Sequence, residues 1–133
     1  MLVLLLAALL QSGGLSMKTL DQGTQSGHDE ARQVVVRSTS EWTTLWQVHA
    51  PDRKPPAVDF AREMVVGVFM GTRPTAGFGV QIQNVREEQG VLIVQYRETR
   101  PAADAMTAQV LTMPYHLVAI PRRAGDVKFE KVK

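Results

Sequence analysis

The sequence predicts an α+β domain, mostly antiparallel β, with roughly six to eight short strands in a sandwich-like sheet and one main amphipathic helix packed on it. Three observations carry this. Short apolar runs recur between turn formers, as in Gln33–Arg37, Met64–Met70 and Tyr115–Ile120. Only the stretch Ser38–His49 switches to helical spacing. The connections are short, which favours antiparallel neighbours over crossover units.

Met1–Leu10 is wholly apolar and is followed by Gln11-Ser12-Gly13-Gly14. It is too short to cross a bilayer, which takes about 20 residues. It matches the apolar core of a secretory signal, without the usual basic lead or a clean small-x-small cleavage site. We expect residues 1–14 to be a cleaved export signal and 15–133 a single domain. Export delivers that domain to a periplasmic or extracellular space, with no stable membrane anchor after processing. Leu15–Leu20 then reads as a short first strand. Asp21–Glu30 is a cluster of turn formers and reads as a loop. Gln33–Arg37 holds three consecutive valines, suited to a buried strand.

The helix is the clearest element. Ser38 and Glu41 have capping-box spacing. Trp42, Leu45, Trp46 and His49 follow at i, i+3, i+4 and i+7, one apolar face with a polar tip. Pro51 disfavours helical geometry at Ala50 and so ends it. That face docks the helix on a sheet, with His49 placed where its charge meets the helix dipole.

Pro51–Pro56 is a polar connection. Met64–Met70 is nearly continuous apolar sequence, as in a central strand buried on both faces. Val80–Gln83 alternates like a strand with one dry face. Glu87-Glu88-Gln89-Gly90 marks a tight turn into the Val91–Tyr96 strand, with Gly90 at a position that needs positive φ. Thr99–Ala105 is a loop, Thr107–Thr112 a short strand and Tyr115–Ile120 a buried one. Gly125-Asp126 turns the chain into a last strand, Val127–Val132.

Several chemistries are excluded or unsupported. The chain has no cysteine, which rules out disulfides, thiolate metal sites, a cysteine nucleophile and a lipid-bearing cysteine. Its net charge of +2 is spread over scattered basic residues with no aromatic interleaving, so nucleic acid is not an expected partner. His28, His49 and His116 have no metal-ligand spacing; His28-Asp29-Glu30 could form a weak metal-binding cluster, but such runs are common in solvated loops. No nucleophile-elbow pattern surrounds a serine, and no phosphate loop is present. The expectation is a protein that is not an enzyme, with no metal and no cofactor.

The stretch core packing alone does not explain is Met70–Val80. Gly71, Gly77 and Gly79 give backbone freedom, and Pro74 fixes its own φ and extends Arg73. Thr72, Arg73 and Thr75 can donate hydrogen bonds, and Phe78 can pack or be presented. Such a loop is either a demanding turn or a recognition surface. Gly71, Thr72, Arg73, Pro74, Thr75, Gly77 and Phe78 are therefore the candidate partner-binding loop. Tyr115 and His116 are secondary candidates.

These features together resemble the protease complex subunit PrcB family, in its C-terminal domain. The resemblance rests on Val34–Trp46, on Val58-Asp59-Phe60 leading into Met64–Met70, and on Gly71–Phe78. It continues through Val91–Glu98, Pro101, Leu111–Val118 and Val127-Lys128-Phe129. Ala76 stands where the family often has a second glycine, and Phe78 where it often has tyrosine. The resemblance implies a subunit that helps a protease complex assemble rather than one that cleaves. Arg73–Phe78 is also similar to the Asn-Pro-Thr-Thr-Gly-Tyr loop of chagasin-type cysteine-protease inhibitors, which are β-sandwich domains. Three functional expectations follow. The first is an exported binding or assembly domain for a protease or other envelope protein. The second is a chagasin-like inhibitor presenting Gly71–Phe78. The third is a small-ligand-binding domain or enzyme with a pocket lined by Tyr115, His116 and the loop.

Overall fold

A computed structural model describes residues 14–133; all of the expected export signal except Gly14 lies outside the described residues. The elements run β1 (Lys18–Gly23), β2 (Ala31–Val36), α1 (Thr39–His49), β3 (Glu63–Met70), β4 (Gly79–Glu88), β5 (Val91–Thr99), β6 (Tyr115–Pro121) and β7 (Val127–Val132). One sheet has the order β1-β6-β3-β2 and is antiparallel throughout. The other has the order β4-β5-β7, with β4 and β5 antiparallel and β5 and β7 parallel. This is the expected α+β architecture.

Two apolar layers hold it. Met64, Val66, Val68, Val118 and Ile120 point into the space between the sheets, where they meet Val80, Ile82, Leu92 and Val94. The opposite face of the same strands, through Val65, Phe69, Tyr115 and Leu117, meets Trp42, Leu45 and Trp46 of α1. Strand β3 is therefore buried on both sides, and only its first residue, Glu63, reaches solvent. That explains why its sequence does not alternate. Each large side chain removed from water in these layers contributes about 1.5–3 kcal/mol.

The helix forms as its spacing predicts, and its buried residues are Trp42, Leu45, Trp46 and His49. Ser38 Oγ accepts the Glu41 N–H at 3.2 Å, while the Glu41 carboxylate reaches one residue past the cap to the Arg37 N–H at 2.9 Å. The indoles donate to Pro56 O at 3.1 Å and Arg53 O at 2.7 Å, which pins the 51–56 connection against the helix. The β4–β5 hairpin turns on Gln89 and Gly90, at φ of 52° and 80°. Two positive φ values in a two-residue loop match the right-handed twist of the flanking strands.

Two elements differ from the sequence reading. The first strand starts later and runs through Asp21, Gln22 and Gly23, residues that read as loop. It is an edge strand with a register shift between Thr19 and Asp21, and an edge tolerates turn-forming residues that a central strand does not. Thr107–Thr112 is not a strand. Only Thr112 and Met113 pair, as isolated bridges to Arg73 and Gln25. Ala108–Leu111 is exposed, so no buried face fixes a register there.

Candidate functional site: the glycine loop and its brace

The chain leaves the buried β3 at Met70 and must enter β4, in the other sheet, at Gly79. Gly71 and Gly77 take φ of 77° and 99°, and a Cβ on Gly77 would press into Pro101 at 2.9 Å. Between them the loop is stitched to its neighbours. Arg73 and Thr112 exchange backbone hydrogen bonds at 2.7 and 2.9 Å, and Ala76 N donates to Ala108 O at 3.1 Å. Thr112 Oγ1 donates to Thr75 O at 2.9 Å. The 100–114 connection is thus a brace hydrogen-bonded to the glycine loop.

The donors predicted for recognition are partly turned inward. Thr72 Oγ1 donates to Asp29 O at 3.2 Å, and Thr75 Oγ1 donates to Ala76 O at 2.8 Å. Phe78 is half-buried against the layer between the sheets. The Arg73 guanidinium carbon sits 5.6 Å from the Phe78 ring centre, and its Nε is buried without a hydrogen-bond partner. Thr72, Pro74 and Gly77 remain exposed. The brace adds what the loop lacks: Met106 is fully exposed, Leu111 61% and Val110 48%.

The secondary candidates do not join this loop in one pocket. Tyr115 and His116 are consecutive in β6, so they face opposite sides of the sheet. Tyr115 enters the helix layer, its ring 4.3 Å from that of His49. His116 enters the other layer, where its Nδ1 accepts the Ile82 N–H at 2.8 Å. That bond leaves the proton on Nε2, which lies 2.9 Å from Thr19 Oγ1. Burial lowers the His116 pKa, so the ring is a neutral strut from one sheet to the backbone of the other.

Sequence reasoning missed a buried polar cluster on the helix side. His49 is 1% exposed, so it does not meet the helix dipole as a solvated charge. Its Nδ1 lies 2.8 Å from Ser26 Oγ and its Nε2 2.8 Å from Asp21 Oδ2. Arg53 Nη2 reaches the same carboxylate oxygen at 2.7 Å. Burial lowers the His49 pKa and outweighs the opposing pull of Asp21. Burial by itself raises the Asp21 pKa, but hydrogen bonds from Arg53, His49 and Tyr115 together bring it below its ordinary value. Burial, then the Asp21 carboxylate, pushes the Tyr115 phenol up to about 12.

The order Ser26, His49, Asp21 looks like a proton relay, but the hydroxyl is occupied. Ser26 Oγ also accepts the His28 N–H at 3.0 Å, and Ser26 is 2% exposed. The cluster clamps β1, the 24–30 loop and the end of α1 together. Gly27 completes the clamp: its N–H donates to His49 O at 2.8 Å, and a Cβ there would collide with Val48 O. His28 packs on Phe69 at 4.6 Å, and among the described residues no group of three His, Asp or Glu is placed to hold a metal.

Residues 64–121 match the family model described as PrcB C-terminal, the family that the sequence motifs resemble. The match runs from β3 through β6 and so contains the glycine loop and its brace. Of the polar clamp it contains only Tyr115. No curated protein and no solved structure matches the chain.

Proposed function

We propose that this chain is an exported, non-catalytic binding or assembly domain that associates with a protease or another envelope protein. It docks through the end of the sandwich built from Gly71–Phe78 and the 100–114 connection. The observation that carries this is the exposure of Met106, Val110 and Leu111 on a segment hydrogen-bonded to the glycine loop. A partner that covers those side chains removes apolar surface from water without refolding the loop. The PrcB C-terminal match supports a protease-complex-associated domain. The inhibitor reading uses the same loop, with Pro74 exposed near its tip.

The test is capture of exported proteins by the full chain, beside an Arg73→Ala/Phe78→Ala variant and a Leu111→Asp variant that keep the parent's melting temperature. The expected result is a protease or envelope protein retained by the parent and lost by both variants. Equal capture by all three overturns docking at this end. Adding a captured protease to an activity assay then separates the readings, since an inhibitor stops cleavage and an assembly subunit does not.

A further inference from the structure

A two-sheet sandwich has four edges, each with backbone N–H and C=O groups that lack a strand partner. Three of these edges carry a protective device. In β1 the register slips between Thr19 and Asp21. In β4 it slips between Ile82 and Asn84, and Leu15 N also donates to Val85 O at 2.8 Å, which covers part of that edge. Strand β7 exposes Lys128 and Lys131. Strand β2 has neither a register shift nor a covering segment, and its one exposed charge is Arg32. Its sequence Ala-Arg-Gln-Val-Val-Val holds no proline and no lysine, and it pairs with β3 without a register shift from Ala31 to Val36. Among the described residues, no loop or side chain hydrogen-bonds to its outer backbone groups.

The space beside this edge is shaped on both faces. On the helix side, β2 and α1 enclose a groove of about 580 Å³ whose walls include Arg32, Val34, Thr44, Leu45 and Val48. Val48 is 51% exposed there. On the other face, Gln33, Tyr96 and Glu98 line a smaller hollow of about 310 Å³. An extended chain laid along β2 sends alternate side chains to these two faces.

Charge selects the occupant. Arg32 is exposed on the helix-side face, and no carboxylate of the described residues pairs with it. Glu41, on the same groove, is held by the Arg37 N–H. A second copy would offer its own Ala31–Val36, which contains no acid to meet Arg32.

We propose that β2 and the adjoining face of α1 form a strand-addition groove for an extended peptide of another protein, with a carboxylate opposite Arg32 and an apolar residue against Val48. The proposal rests on the reading of this chain as a binding domain and gives it a recognition surface distinct from the glycine loop. The two are neighbours, since Ala31 N lies 2.7 Å from where a Cβ on Gly71 would stand. Main-chain pairing supplies affinity, and the two hollows supply specificity.

The test pans a phage-displayed library of random ten-residue peptides on the full chain and compares the selected peptides on parent and Arg32→Glu. That substitution is at an exposed position, and an unchanged melting temperature verifies the fold. The expected peptides alternate apolar residues and carry one acid. They bind the parent about tenfold more tightly than the variant, a plausible size for a rim charge pair. N-methylation of alternate peptide amides abolishes binding, and amide NMR shifts fall on Ala31–Val36 and α1. Four outcomes overturn the proposal: no enrichment, equal binding to both proteins, shifts confined to residues 71–78 or 100–114, or an Arg32-dependent dimer without peptide binding. The two readings separate cleanly. Partner capture that survives Arg32→Glu but not Leu111→Asp, without peptide shifts on β2, removes the groove and leaves loop docking intact.

Discussion

The glycine loop and the polar clamp have opposite construction. The loop concentrates its special residues in one stretch, Gly71–Phe78, and holds its shape mainly through backbone hydrogen bonds to Thr112 and Ala108. The clamp collects Asp21, Ser26, His49 and Arg53 from four segments, β1, the 24–30 loop, α1 and the 51–56 connection, and joins them through side chains, with His49 fully enclosed. Sequence density of unusual residues therefore marks local backbone demand, while buried polar chemistry assembles from positions that look ordinary. Energetically the clamp is the more fragile, because a buried polar group that loses its partner has no water to replace it.

The largest effect expected is at His49. His49→Ala removes a buried ring and takes one hydrogen-bond partner from each of the Asp21 carboxylate and the Ser26 hydroxyl, which keep only Arg53, Tyr115 and the His28 N–H. The combined cavity and unsatisfied-group cost is on the order of 3 kcal/mol. Urea unfolding checks it. A loss below 1 kcal/mol would mean that water enters and satisfies the clamp, and the contrast with the loop would collapse.

Gly27→Ala is next, at about 2 kcal/mol, an overpacking cost. The added methyl group collides with the carbonyl oxygen of Val48, and a backbone atom cannot rotate away. The variant must stretch or break the Gly27 N–H bond to His49 O, so hydrogen exchange at Gly27 rises with the loss of stability. Unchanged exchange together with unchanged stability would show that the helix end yields freely.

Acid acts on the clamp and on the His116 strut by degrees. His28, His49 and His116 all have folded pKa values below the ordinary 6.5, with burial the main cause. The unfolded chain therefore binds protons first as pH falls, so stability is complete above about 6.5 and declines below it. Asp21, also lowered, keeps its contribution above the ordinary carboxylate range and loses it only at more acidic pH. Melting temperature should fall in two stages from neutral pH to pH 3. A His49→Ala background should flatten part of the first stage, and an unaltered profile in that background would remove His49 from the account.

Much of the fold was legible because its signals are local. Helical spacing from Trp42 to His49, the bracketed apolar runs and the positive φ at Gly90 each follow from a few consecutive residues. The errors came where a distant partner decides. Asp21 and Gln22 read as loop because nothing nearby shows that β6 lies alongside, and Thr107–Thr112 read as strand because nothing nearby shows that its neighbours leave it exposed. His49 was placed correctly on the buried helix face but given the wrong charge state. Only the tertiary burial of the ring, between Ser26 and Asp21, makes it neutral against the pull of that carboxylate. The edge at β2 is a further case, since a valine run announces a buried strand but cannot say which side lacks a neighbour.

The smallest expected effect is at Thr72. Its hydroxyl bonds to Asp29 O from an exposed position, alongside a backbone bond from the Thr72 N–H to the same oxygen at 3.0 Å. Thr72→Ala leaves that second bond in place and leaves the carbonyl satisfied, so the loss should stay within about 0.5 kcal/mol. The same substitution sharpens the functional comparison. Thr72 stands on the exposed rim of the loop, so a variant with parental stability but weakened partner capture would place this residue in the docking surface itself. Parental stability with parental capture would remove Thr72 from the docking surface and leave it to Arg73, Phe78 and the brace. A loss above 1 kcal/mol would mean that side chains hold the loop as they hold the clamp, and the distinction between the two regions would fail.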